Sequence, residues 1–268
     1  MRCENIDRMA PLFAGPPVLC GHRGMGVGTV LGHAENTLAS FLAAAGLGLP
    51  WVEVDVRVTA DDVLVCRHDP VVEDGRFVIA MTAAETDALG LLRFADLLDG
   101  LPPAVGVDVE VKSSLEDALR PRDRTTAALV GRALAGREAS RPLLVTSFDA
   151  AALTITREHA AVATGLLTWM RFPLRKAIPA AVHLGAAVVL PHFSSLGAGP
   201  APARIERTAA EYVALAHEAG LEVATWAPAP EEAEPLLAAG VDCLIVDHAD
   251  ARTWAPPRAR LTGRRRGR

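Results

Sequence analysis

Lysine is nearly missing from this 268-residue chain: of its 27 basic residues, only Lys112 and Lys176 are not arginine. Asparagine is equally scarce, at Asn5 and Asn36. In a chain that otherwise takes arginine, a retained lysine points to a local need for a compact ammonium in place of a planar guanidinium. The four cysteines, Cys3, Cys20, Cys66 and Cys243, are scattered with no paired spacing. That excludes the usual zinc-ligand patterns and a small disulfide scaffold, and leaves reduced, mostly buried thiols as the expectation. No apolar run reaches the roughly 18 residues a membrane-crossing helix needs. The first 17 residues carry Arg2, Glu4, Asp7 and Arg8, then Pro11, Pro16 and Pro17, which is a poor secretory signal. A cytoplasmic location is therefore expected.

What is present is a large hydrophobic fraction, 50% of residues, in a chain of the length of one α/β barrel. The formal charge of −5 is unevenly spread, because the last thirteen residues hold six arginines and no acid. A single domain over residues 1–255 is expected, followed by an Arg-rich tail at 256–268 that reads as disordered. Peripheral contact with an anionic membrane is a second expectation for that tail, and no specific nucleic-acid partner is expected. Oligomeric state is not legible.

Short β-rich apolar runs alternate with Ala/Leu-rich amphipathic stretches along the whole chain. Eight runs qualify as strands, at 17–21, 51–58, 104–111, 143–148, 162–167, 186–191, 221–226 and 241–246. Helices are expected at 37–47, 125–134, 150–158, 174–184, 208–219 and 230–239, several followed by a capping glycine: Gly185, Gly220 and Gly240. This cadence predicts a (β/α)8 TIM barrel. Residues 69–103 break it, following an additional strand-like run at 63–69, and are expected to form a small insertion after the second barrel strand.

Two of the runs carry charge where barrel strands are normally apolar on both faces. In Trp51-Val-Glu-Val-Asp-Val-Arg-Val, the two-residue period puts Glu53, Asp55 and Arg57 on one face and valines on the other. In Val107-Asp-Val-Glu-Val-Lys, Asp108, Glu110 and Lys112 share a face in the same way. If the valines meet the outer helices, carboxylates line up inside the barrel, where their repulsion and desolvation call for a cation. An oxygen-only donor set suits a hard divalent ion, Mg²⁺ or Ca²⁺. His22, in G-H-R-G, and His68, in H-D-P, both fall at strand C-terminal ends, where barrels place their chemistry. One proton acceptor, one donor and the adjacent Arg23 guanidinium suit phosphoryl transfer.

Together these residues resemble the glycerophosphodiester phosphodiesterase family. The match runs through H-R-G at 22–24, E-N-T at 35–37, E-V-D at 53–55, H-D at 68–69, E-V-K at 110–112, S-F at 147–148, Trp226, and G-V-D followed by Asp247. The resemblance implies cleavage of a glycerophosphodiester, or of a lysophospholipid, to a phosphomonoester and an alcohol. It also implies His22 and His68 as the acid–base pair, Glu53, Asp55 and Glu110 as metal ligands, and Arg23 and Lys112 as phosphate-binding groups. Glu35, Asn36 and Asp69 are expected to support these from behind.

Phe148 and Trp226 end strands and read either as rim packing or as a wall for glycerol or an acyl chain. The glycine-rich stretch after H-R-G, and Ala-Pro-Ala-Pro after Trp226, depart from the family pattern and leave the alcohol side open. Met-Gly-Val-Gly at 25–28 reads as a flexible loop. His33, His159, His183, His217 and His248 read as structural or surface residues, while His192 is balanced between that role and lining the pocket. Two other readings of the acids remain: a non-catalytic barrel that binds phosphorylated ligands, and an Mg²⁺-dependent aldolase-type lyase.

Overall fold

In a computed structural model, which describes residues 11–13, 15–197 and 207–249, the apolar runs become eight parallel strands. They are β1 (Val18–Gly21), β2 (Trp51–Val58), β3 (Gly106–Val111), β4 (Leu143–Ser147), β5 (Ala163–Thr168), β6 (Val188–Pro191), β7 (Glu222–Trp226) and β8 (Cys243–Val246). Each pairs with the next in chain order. The sheet closes because β1 pairs with β8 on one side, Cys20 opposite Ile245, and with β2 on the other, Cys20 opposite Trp51. The (β/α)8 barrel expected from the cadence is the fold.

Among the described residues, eight α-helices follow from their own local signals: α1 (Leu38–Gly46), α2 (Ala83–Ala88), α3 (Phe94–Gly100), α4 (Thr126–Leu134), α5 (Ala150–Arg157), α6 (Leu174–His183), α7 (Ala209–Glu218) and α8 (Pro230–Ala238). Thr37, Thr125 and Asp149 cap α1, α4 and α5 by accepting from orphan backbone N–H groups, and Thr208 forms a capping box with Glu211 on α7. Gly185, Gly220 and Gly240 take positive φ after α6, α7 and α8, the left-handed exit that their positions suggested.

The break in the cadence divides into two parts. Leu64–Cys66 runs antiparallel to the end of β2, Val56 opposite Cys66, and the turns beyond it enclose a small apolar cluster of Val65, Val72, Val78 and Met81. The second part, α3, is the barrel helix that follows β2, since Phe94, Leu97 and Leu98 join the main core. The insertion proper is thus shorter than the stretch 69–103.

Alternation along β2 and β3 sorts their side chains as the period-two rule requires. Val52, Val54, Val56, Val107, Val109 and Val111 pack outward against the helix layer that holds Phe41, Ala44 and Phe94. The inward face brings Glu53 opposite Asp108 and Asp55 opposite Glu110. Below these acids lies an apolar plug that includes Cys20, Trp51, Leu144, Ala163, Val188 and Cys243. The three cysteines among the described residues are free and buried, and burial raises the pKa of Cys20 and Cys66 well above the ordinary thiol value. No helix among the described residues is long and apolar enough to cross a membrane. The expectations for the N-terminal ten residues and for the tail at 256–268 lie outside the described residues.

Gly106 sits beside Trp51 in this plug, and a Cβ there would lie 2.5 Å from the indole ring. Overpacking against a rigid ring costs about 1–3 kcal/mol. Gly106→Val is therefore expected to lower Tm by roughly 2–12 °C in a thermal scan, and Trp51→Leu in the same chain to recover part of the loss. An unchanged Tm would show that the plug is looser than this.

Candidate active site

The H-R-G turn is built by close backbone contacts at the end of β1. Gly24 N–H donates to Gly21 O (3.2 Å), His22 N–H donates to Val246 O (3.1 Å), and Arg23 takes a left-handed φ of 53°. This aims the His22 ring at two carboxylates. Its Nδ1 lies 2.6 Å from Asp247 Oδ1, and its Nε2 lies 3.7 Å from Glu53 Oε2. Burial alone would raise the Asp247 pKa, but the His22 contact holds it below the ordinary carboxylate value.

Met-Gly-Val-Gly is pinned against this pair instead of forming an open loop. Gly26 has φ 138°, and a Cβ on it would fall 1.8 Å from Asp247 O, so only glycine lets the chain pass here. Val27 N–H donates to the same carbonyl (3.2 Å). A short hairpin, Thr29–Val30 against His33–Ala34, then returns the chain to Glu35 and Asn36. Glu35 accepts from Arg23 Nη1 (3.0 Å) and from Gly28 N–H (2.5 Å).

Glu53, Asp55 and Glu110 form the centre, with one oxygen of each lying within 4.8 Å of the others. All three are buried. Asp55 Oδ2 accepts from Asn36 Nδ2 (2.8 Å) and faces Arg23 Nε (3.2 Å), while its Oδ1 lies 3.0 Å from Lys112 Nζ. Lys112 Nζ also donates to Glu110 Oε1 (2.5 Å). Glu53 Oε2 accepts from Arg23 N–H (2.9 Å), but its Oε1 is buried with no hydrogen-bond partner.

Burial raises Glu53 well above the usual carboxylate range, and the neighbouring Asp55 and Glu110 charges add to the shift. Burial raises Glu110 too, against the pull of Lys112. For Asp55 burial is overridden: Lys112 and Arg23 hold it below its ordinary value. Burial would lower Lys112, yet Asp55 and Glu110 hold it above the ordinary lysine value. The unsatisfied Glu53 oxygen and an all-oxygen donor set fit a hard divalent cation, which these three acids would hold.

A fourth acid, Asp108, accepts from Thr146 Oγ1 (2.8 Å) and is pushed up to about 8, chiefly by burial, so it keeps its proton near neutral pH. It lines the cavity but stands outside the three-acid group.

His68 arrives from the antiparallel strand. Its Nδ1 lies 2.7 Å from Asp69 Oδ1, and its carbonyl accepts from Arg57 Nε (2.9 Å) and Nη2 (2.5 Å). Burial pulls the His68 pKa below the ordinary histidine value, against Asp55, which raises it.

His22, Arg23, Glu53, His68, Glu110 and Lys112 all line one cavity of about 490 Å³. Its other half is aromatic. Phe148 stacks on Trp169 (centroids 4.1 Å apart, 19° between planes) and meets Trp226 edge-on (5.8 Å, 87°), and all three rings line the cavity. His192 packs edge-on against Trp226 (4.4 Å, 77°) and is not among the lining residues. Of the histidines read as structural, His217 pairs with Asp242 (2.9 Å).

Every candidate residue is thus either in the lining or in contact with it: Asp55 through Arg23 and Lys112, Asn36 and Glu35 through Arg23, and Asp69 through His68. Residues given no role from sequence are Asp247, Arg57 and Trp169. The available signal was positional, since Asp247 and Trp169 directly follow β8 and β5, at the barrel end where chemistry gathers.

The model of the glycerophosphoryl diester phosphodiesterase family matches residues 22–251. A glycerophosphocholine phosphodiesterase of Eremothecium gossypii is 41% identical over 81 residues, 29% of this chain and 6% of that protein. One of Candida albicans is 45% identical over 65 residues, 23% of this chain and 6% of that protein. The chain therefore spans only a small fraction of the curated relatives it matches. Among solved structures, a Silicibacter pomeroyi protein bearing the same family name aligns with TM-score 0.73 and 25% identity over 90% of this chain and 94% of that one. An Oleispira antarctica phosphodiesterase in complex with the product sn-glycerol-3-phosphate aligns with TM-score 0.69 and 22% identity, over 89% of this chain and 96% of that one.

Calorimetric titration with Mg²⁺ or Ca²⁺ is expected to reveal one site that is abolished in Glu53→Gln and Glu110→Gln and kept in Asp108→Asn. Equal loss in all three variants would mean that the four acids act as a diffuse charge and form no three-ligand site.

Proposed function

The chain belongs to the glycerophosphoryl diester phosphodiesterase family, and on that footing we propose that it hydrolyses a glycerophosphodiester to a phosphomonoester and an alcohol, with one divalent cation, Mg²⁺ or Ca²⁺, held by Glu53, Asp55 and Glu110. The observation that carries this reading is a single cavity lined by His22, His68, Glu53, Glu110, Arg23, Arg57 and Lys112, with Asp55 completing the three-acid cluster behind Arg23 and Lys112. When bound, the cation would supply charge for phosphate oxygens and lower the pKa of an oxygen nucleophile.

The remaining work falls to this chain's own groups. Arg23 and Lys112 offer charge-assisted donors to phosphate oxygens. His68, depressed by burial, is neutral near pH 7 and suited to accept the nucleophile's proton. His22, held by the Asp247 carboxylate through Nδ1, is placed to donate to the leaving alcohol. Asp69 and Asp247 each fix one ring through Nδ1 and leave Nε2 for the reaction. Trp226 Nε1, buried without a partner, is a further donor at the aromatic side. Phe148, Trp169 and Trp226 form the wall for the alcohol or glycerol carbon skeleton. The named relatives point the same way, since one binds the type of phosphomonoester that this hydrolysis releases.

Turnover of glycerophosphocholine with Mg²⁺ or Ca²⁺ tests the reading. His22→Ala and His68→Ala are each expected to lower kcat/KM by about 10²–10⁴ while the cation still binds. A rate unchanged in both variants, or tight binding without turnover in the parent chain, defeats it and favours a phosphate-binding barrel. The acid limb of kcat/KM should also fall below the ordinary histidine pKa: activity is held above the depressed His68 value and lost as pH drops through it. A limb above the ordinary value would take His68 out of the base role.

A further inference from the structure

Exposed large apolar side chains are common one at a time, but a contiguous group of them calls for a partner. On this molecule five of them sit on two loops at the C-terminal end of the barrel. The turn after β5 presents Trp169 at 63% exposure and Met170 at 65%, with Phe172 at 37%. The loop after β3 presents Leu115 at 87% and Leu119 at 88%. Both loops follow C-terminal strand ends and so lie on the same face of the barrel.

The loop between them joins the two groups. Ser113 Oγ donates to Asp149 Oδ2 (2.8 Å), and the neighbouring Phe148 ring stacks on Trp169. The patch is thereby continuous with the cavity, because Trp169 belongs to both. The 169–172 turn is held in shape: Phe172 N–H donates to Trp169 O (3.1 Å), and Arg171 takes a φ of 57°, which leaves Met170 and Arg171 at the tip.

Charge selects the partner. Arg171, Arg175 and Lys176 are exposed beside the turn and form no ion pair among the described residues. No acid occurs between Glu158 and Glu206 in the sequence. An exposed Trp, Met and Phe flanked by unpaired cations is the composition that enters the headgroup region of an anionic bilayer, with rings and aliphatic chains in the interface and cations at lipid phosphates.

We propose that this rim docks the barrel mouth onto an anionic phospholipid surface. The cavity then opens toward the lipid, with its aromatic half nearest the interface.

Co-sedimentation of the full chain with phosphatidylcholine vesicles, with and without phosphatidylglycerol, tests the docking. Turnover of soluble glycerophosphocholine is measured on the same samples as an independent check of the hydrolase reading. Binding is expected only with phosphatidylglycerol, and it should fall with salt. Met170→Glu and Leu119→Glu should each weaken it about tenfold, and the pair Arg175→Glu/Lys176→Glu should do likewise, with soluble turnover unchanged. Tryptophan emission should shift to the blue on binding, and Trp169→Phe should remove most of that shift. Binding that persists at full strength in all these variants overturns the proposal, because another part of the chain would then hold the vesicle. Concentration-dependent dimerisation lost in the same variants, without vesicle binding, also overturns it and makes a second copy the occupant.

Discussion

Four acidic side chains share the upper half of one closed barrel with three cations, Arg23, Arg57 and Lys112, and most of the molecule follows from holding that arrangement together. Glu53, Asp55, Asp108 and Glu110 cannot turn away, because the valines between them are committed to the helix layer. Each escapes part of the desolvation cost differently. Asp108 keeps a proton and takes a hydroxyl from Thr146, Asp55 collects Asn36, Arg23 and Lys112, and Glu110 leans on Lys112. Glu53 is left with one bare oxygen. A cluster that stays partly unsatisfied from within is an expensive way to build a core and a sensible way to build a cation site.

The same constraint explains why rare residues sit where they do. Lys112 reaches two acids at once from the end of β3, a task suited to a compact ammonium on a flexible stem. Asn36 both donates to the Asp55 carboxylate and accepts from its backbone N–H, a two-way contact that an aspartate in its place would turn into repulsion. The hairpin and Gly26 deliver Asn36 and Glu35 to those positions, so the unusual glycine-rich stretch is part of the site's support.

Much of this was legible in the sequence because it depends on local periodicity. Alternation in β2 and β3 marks the charged inward face, and the helix and glycine cadence marks the barrel. H-R-G and H-D mark the strand ends. What was not legible depends on closure of the chain over long separations. The Asp247 contact to His22 spans 225 positions and exists only because β8 lies beside β1. Trp169 reads as one more apolar residue until its stacking on Phe148 is seen. The need for glycine at position 26 is set by a carbonyl from the far end of the chain. The role of α3 as a barrel helix was hidden because the antiparallel strand before it disturbs the count.

The two halves of the cavity divide the labour. The polar half is anchored on Glu53, Asp55 and Glu110 of β2 and β3, while the aromatic half takes Phe148 and Trp169 from the loops after β4 and β5 and Trp226 from the end of β7. The most direct test of the account is a crystal structure grown with Mg²⁺ or Ca²⁺ and glycerol 3-phosphate. The cation is expected on oxygens of Glu53, Asp55 and Glu110, and the phosphate between His22 and His68 with Arg23 or Lys112 on its oxygens. A cation bound elsewhere, or a phosphate outside the barrel with Lys112 still closed onto Asp55 and Glu110, would contradict it.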